Sequence, residues 1–245
     1  MGQNEDRRRA WLERIAHLPG NDIRYDVSNT PAGEDPVLKD RMILFLGSSV
    51  TFGAASMEQA FPEFMARKDG IRFIKEAVSG TTLADDDRLP NSYIVRMKQM
   101  DTAVKADAFM CQLSTNDATR NKPLGVITEG KDLSTFDTGT IIGAMEYVIA
   151  YAQKTWHCPV SFYTGTKYDS DLYAQMVAML PELAAKWGIG VLDLWHDEEM
   201  NSVSAEDYAL YMSDPIHPTK AGYRDWWTPK FEEFFRNLFA KKENA

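Results

Sequence analysis

Met42-Ile-Leu-Phe-Leu-Gly47-Ser-Ser49-Val-Thr-Phe-Gly53 is the stretch whose reading decides the fold. An uninterrupted apolar run at 42–46 enters a turn of small residues. A run that short, without polar alternation, reads as a strand buried on both faces, as in a parallel sheet covered by helices. Glycines in the turn behind it permit a sharp strand-to-helix reversal and a close backbone approach by a ligand. Runs of the same kind recur at 71–78, 108–113, 160–163 and 189–194. Between them lie periodic stretches at 57–68, 91–105, 139–155, 170–187 and 219–240 that read as helices. Each connection is long enough for a right-handed crossover between parallel strands. The expected fold is α/β: a three-layer α/β/α sandwich around a flavodoxin-like five-stranded parallel sheet. Residues 5–17 read as a helix and 18–40, rich in Pro, Gly, Asn and Asp, as a surface wrap, giving an extension at 1–40 and a domain at 41–245.

Hydrophobic residues make up 44% and charged residues 26% of the 245, an ordinary globular balance. The 27 basic against 36 acidic side chains argue against a nucleic-acid or membrane-surface binder, which needs a basic face. MGQNEDRRRAWLERI has no apolar core, so it does not read as a secretory signal, and Asp6 stands where a myristoylation site wants Ser or Thr. The expectation is a cytoplasmic protein with no stable membrane anchor. Cys111 and Cys158 read as buried free thiols, and Arg7-Arg8-Arg9 as a solvated helix face. The four histidines are scattered and form no metal-ligand pattern, so no metal is expected.

In such a sheet the chemistry belongs just past the strand C-termini. The turn 47–53 lacks the Gly-Lys-Ser/Thr ending of a phosphate loop, and Thr51 departs from a G-x-S-x-G elbow. A serine here could act as a nucleophile, or the segment could be a solvated turn. The second strand leads into Val78-Ser-Gly80-Thr, the third into Leu113-Ser-Thr-Asn116-Asp117. An Asn ending a buried strand can donate its amide hydrogens to an oxyanion, or it can cap a helix. Near the C-terminus comes Ser213-Asp214-Pro-Ile-His217-Pro-Thr219. Asp214, three residues ahead of His217, can hold one imidazole nitrogen and leave the other to take a proton, while Thr219 reads as a helix N-cap. Asp193 and His196 form a rival pair, which alternation would put on opposite faces of a continuing strand.

Together these four segments resemble the SGNH (GDSL-type) hydrolase family. Gly47-Ser48-Ser49-Val50-Thr51 stands where that family has Gly-Asp-Ser-Leu/Val-Thr. Gly80 matches its second block, Asn116 its Gly-x-Asn-Asp block, and Asp214-Pro-Ile-His217 its final Asp-x-x-His block. The resemblance spans about 42–240, with Ser48 in place of Asp and Ser114 in place of Gly as its departures. It implies Ser49 as nucleophile, His217 as general base and Asp214 as the residue orienting it. The N–H groups of Ser49 and Gly80 and the amide of Asn116 would form an oxyanion hole. The implied reaction is hydrolysis of a carboxylic ester through an acyl-enzyme, without a cofactor.

Thr115, Asp117, Thr119, Arg120 and Asn121 flank the oxyanion Asn, and are expected to line a polar mouth, with Thr115, Asp117 and Asn121 as substrate contacts. That points to a small-molecule or saccharide ester with a short or acetyl acyl group. The irregular stretch 120–138 is either a substrate-covering loop or a surface insertion. The stripe Trp227, Phe231, Phe234, Leu238 reads as a helix face on the sheet, with room for a homo-oligomer contact. An acyltransferase, a lipase or lysophospholipase with the same triad, and a non-catalytic carbohydrate-binding module stand as alternatives.

Overall fold

A computed structural model describes residues 2–85 and 90–243. Five parallel strands, β1 (Met42–Gly47), β2 (Arg72–Ala77), β3 (Ala108–Gln112), β4 (Val160–Tyr163) and β5 (Gly190–Leu192), pair in the order β2-β1-β3-β4-β5. This is the doubly wound order expected, with the switch of direction at β1. Alternation along β1 divides the core: Leu44 and Leu46 face one layer, Ile43 and Phe45 the other.

The first layer holds α4 (Tyr93–Met97), α6 (Ile141–Trp156), α7 (Asp171–Ala178) and α8 (Leu180–Trp187). The second is built from α3 (Phe61–Asp69) and the C-terminal helix α10 (Thr228–Glu243). Trp227, Phe231, Phe235 and Phe239 are buried there, Phe231 stacking on Phe61 and Phe235 meeting Phe45 edge-on, while Phe234 and Leu238 are half-buried. The C-terminal stripe therefore covers the sheet.

The differences from the expected helices have local causes. The stretch 170–187 divides in two at Pro181, which lacks the N–H a continuous helix needs. The helix expected over 91–105 ends at Met97, and Asp101 then accepts the Ala103 N–H at 2.9 Å in a turn. Thr219 does cap the last helical segment, accepting the Gly222 N–H at 3.2 Å, but residues 222–227 wind as a π-helix before α10. α9 (Ala205–Tyr211), capped by Ser204, was not anticipated, nor were α2 (Ser49–Phe52) and α5 (Thr115–Thr119).

α1 (Gly2–Ala16) opens the chain, and residues 19–29 follow as three 3-10 turns, two of them capped by Asp22 and Asp26. The extension then runs along α3: Gly33 donates to Arg67 O, and Asp35 to Asp69 O. Arg9 is exposed beside Asp6, whereas the side chains of Arg7 and Arg8 lie outside the described residues. Both cysteines are buried, and no disulfide joins them. Among the described residues no helix is long and apolar enough to cross a membrane.

Candidate active site

The turn after β1 is held from beneath. Gln112, the last residue of β3, accepts the N–H groups of Ser48 and Thr51 at 2.9 and 3.1 Å and donates to Ser48 Oγ at 3.1 Å. Thr51 adds hydrogen bonds from its hydroxyl to Gln112 Oε1 and with Tyr163 OH, and Tyr223 OH donates to Val50 O at 2.6 Å. A Cβ on Gly47 would sit 1.8 Å from Thr51 Oγ1, so only glycine lets the chain turn here. Ser48 is thereby drawn fully into the core, which separates the two serines. Ser49 opens α2, and the first N–H groups of a helix have no partner within it.

Facing it is the loop 213–218, closed by the Met212–Pro218 bridge and by Ser213 N–H and Oγ donating to His217 O at 2.9 and 3.1 Å. Asp214 accepts the N–H groups of Ile216 and His217 at 2.9 and 3.0 Å, and His217 Nδ1 donates to its two oxygens, each at 2.9 Å. With Nδ1 engaged, Nε2 is left as the acceptor for Ser49 Oγ–H at 2.8 Å, a tautomer assigned from this network. Burial pushes the Asp214 carboxyl up, but the His217 hydrogen bond and charge and the two N–H donors outweigh it and hold it below the usual carboxylate range.

The rival pair also forms, at 2.8 Å between His196 Nδ1 and Asp193 Oδ2, because β5 ends at Leu192 and alternation no longer separates them. Its imidazole is 67% exposed and pairs with no serine among the described residues. His17 and His157 are exposed.

α5 braces the third side. Asn116 donates one amide hydrogen to Thr81 O at 3.0 Å, and Arg120 donates to Gly80 O at 2.6 Å. Gly80 has φ +81, a left-handed turn that favours glycine. Ser49, Gly80, Asn116 and His217 all line one cleft of about 750 Å³.

The expected polar mouth is absent from this cleft. Asp117 is fully buried, its carboxylate accepting the Leu83 and Ala84 N–H groups at 2.7 and 2.9 Å, so it braces the turn after β2 and does not reach the cleft. Thr115 is buried and lines a separate small recess with Tyr163 and Ile216. Asn121 is exposed, at φ +50, away from the cleft lining. Nor does 120–138 line the cleft: past Arg120, which reaches Gly80 O, Thr128 donates to Glu146 of α6 and accepts Lys186 of α8 at its carbonyl. Besides the four residues above, the lining comes mainly from Trp11, Leu12, Phe52, Met57 and Val78. Trp11 and Leu12 belong to the extension, and no motif marked them.

The molecule is an α/β/α hydrolase. The model of the GDSL-like Lipase/Acylhydrolase family matches residues 45–224, and the chain belongs to that family of esterases and lipases. Among solved structures it is similar to a protein from Lactobacillus plantarum, with TM-score 0.66 and 21% identity over 82% of this chain and 98% of that one. A GDSL-like lipase candidate from Bacteroides ovatus follows at 0.61 and 17%, covering 81% and 99%. A family two carbohydrate esterase from Cellvibrio japonicus aligns at 0.51 and 18%, covering 83% and 64%. At these identities the likeness is one of fold. No curated protein matches the chain.

Proposed function

We propose that the protein hydrolyses a small-molecule carboxylic ester by nucleophilic catalysis, with Ser49 as nucleophile, His217 as proton carrier and Asp214 as its support. The observation that carries this reading is the unbroken hydrogen-bond chain Ser49 Oγ–His217 Nε2 at 2.8 Å and His217 Nδ1–Asp214 at 2.9 Å. Ser49 Oγ attacks the carbonyl carbon while its proton passes to Nε2, and the carbonyl electron pair moves onto oxygen. The N–H groups of Ser49 and Gly80 and the Asn116 amide stabilise that oxyanion, where one such donor is worth about 2.7–4 kcal/mol. Collapse expels the alcohol, which takes the proton from His217, leaving an acyl-serine. Water, deprotonated by His217, repeats the sequence and releases the acid. Asp214 stays ionised, keeps the proton on Nδ1 and stabilises the imidazolium.

Assaying p-nitrophenyl esters with wild type and Ser49→Ala tests this. The expected loss in kcat is on the order of 10⁶-fold with an unchanged melting curve. A Ser49→Ala protein of wild-type activity overturns it.

A further inference from the structure

We infer that Gln112 is the positioning residue of the nucleophile turn, an assignment that rests on Ser49 as the nucleophile. Its side-chain amide, reaching across from β3, caps α2 in place of the aspartate that this chain lacks at position 48.

A helix opens with N–H groups that nothing inside the helix can accept, and the residue before its first turn ordinarily supplies an oxygen. An aspartate there accepts the N–H of the second or third helical residue and meets the positive end of the helix. That is where Gly-Asp-Ser-Leu/Val-Thr has its aspartate, and here the position is Ser48. Serine can cap a helix too, but Ser48 does not. Its side chain makes no bond to α2, and its Oγ accepts a hydrogen from Gln112 Nε2 instead. The N–H of Thr51, third in the helix, goes to Gln112 Oε1 at 3.1 Å. The cap therefore comes from another strand, 61 residues further along the chain.

Three hydrogens converge on that one oxygen, from Ser48 N at 2.9 Å, Thr51 N at 3.1 Å and Thr51 Oγ1 at 2.9 Å. Two of them belong to backbone N–H groups, which only donate, so the amide must turn its oxygen towards them. Ser48 and Thr51 bracket Ser49, so a single acceptor fixes the chain on both sides of the nucleophile. The Phe52 N–H goes to Ser48 O at 2.9 Å. The Ser49 N–H is claimed by neither Gln112 nor Ser48, and the proposed reaction uses it for the oxyanion.

The surroundings are shaped around this amide. Gln112 is 1% exposed and Ser48 and Thr51 are fully buried, so water does not compete for the three bonds. β1 and β3 are paired as far as Leu46 and Cys111, which brings Gln112 beside Gly47. A Cβ on Gly47 would lie 2.9 Å from Gln112 Oε1 as well as against Thr51 Oγ1, so the missing side chain makes room for the amide. Gln112 does not line the cleft, and it acts on the reaction only through the turn it holds.

The test is kcat and KM on a p-nitrophenyl ester for wild type, Gln112→Met, Gln112→Glu and Gln112→Met/Ser48→Asp, with melting curves as a folding control. Methionine keeps the length and bulk but offers no good acceptor. Its kcat should fall about 10²-fold with KM within about twofold, as for an ångström-scale misplacement of the reacting group. Glutamate keeps the accepting oxygens and should lose less than about tenfold. Ser48→Asp returns the cap to the residue before the helix, so the double variant should recover about tenfold or more over Gln112→Met. Wild-type kcat in Gln112→Met, equal damage from Glu and Met, or a double variant no better than Gln112→Met overturns the inference. Should Gln112→Met fail to fold, Gln112→Glu and the double variant decide: both should be folded and active, and loss of turnover in either overturns it. Amide hydrogen exchange by NMR separates the cap from the nucleophile, because it needs no turnover. The Thr51 N–H should lose protection in Gln112→Met and regain it when Ser48→Asp is added. Unchanged exchange in Gln112→Met overturns the cap, whereas residual turnover by Ser49→Ala overturns only the nucleophile.

Discussion

At the scale of single residues, side chains adjacent in sequence divide between structure and chemistry. Ser48 is locked to Gln112 in the core while Ser49 meets His217. Asn116 lines the cleft while Asp117 is buried under the turn after β2. The strand-end turns were legible from the apolar runs that precede them, and the Asp214–His217 pair from its spacing, while their grouping into one site came from the resemblance to a known family. Asp117 was not, because its fate depends on the Leu83 and Ala84 N–H groups, remote in sequence, which claim both oxygens. Two outcomes follow. Asn116→Ala should lower kcat by about 10²–10³-fold while KM changes little, checked by steady-state kinetics. Asp117→Ala should lower the melting temperature, since it leaves two buried N–H groups without an acceptor at about 1–3 kcal/mol each.

Elements place these residues by bracing one another. Buried Arg96 on α4 donates to Gly47 O at 2.8 Å and Thr81 Oγ1 at 2.9 Å, joining the turns that carry Ser49 and Gly80. It also donates to Glu76 O and Oε1 at 3.2 and 3.0 Å. The sequence hides this role: an arginine in Tyr-Ile-Val-Arg-Met reads as the polar face of a helix. Lysine keeps the charge but not the planar fork of donors. Arg96→Lys should therefore lower kcat by roughly 10–100-fold through loosened positioning, with a smaller change in melting temperature. An unchanged kcat would show that the two turns hold without it. The strands were readable from their apolar runs. The short helices α2, α5 and α9 were not, since four to seven residues carry too little periodicity, and only α9 is capped by the side chain of its own N-cap residue, Ser204.

Over the whole molecule the extension is sewn to the domain through charge. Asp35 of the wrap accepts from Arg236 of α10 at 2.7 Å, and Arg236 also reaches Glu232 and Asp69. Burial, and then the Glu232 charge, push the Asp69 carboxyl from 3.8 up to about 7, against the pull of Lys68 and Arg236. A carboxyl raised in the folded state binds its proton more tightly there than in the unfolded chain. Its contribution to stability therefore declines as pH rises from about 4 to about 7. Asp69→Asn should flatten this decline and raise the melting temperature at pH 8 relative to wild type. Melting curves from pH 5 to 8 check it. Asp214, held low, acts in the opposite sense: what it lends to stability is present above pH 3.8 and lost as pH falls through its depressed value. The layered sheet was legible from the alternation of apolar runs and helical stretches. The place of Trp11 and Leu12 was not, because nothing local says where a surface helix will dock.

The most direct measurement is to treat wild type and Ser49→Ala with a fluorophosphonate, map the adduct by peptide mass spectrometry, and follow ester hydrolysis in the same samples. The account predicts one adduct on Ser49, loss of turnover in step with labelling, and neither labelling nor turnover in Ser49→Ala. An adduct on Ser48, or a Ser49→Ala protein that still hydrolyses esters at the wild-type rate, would contradict it.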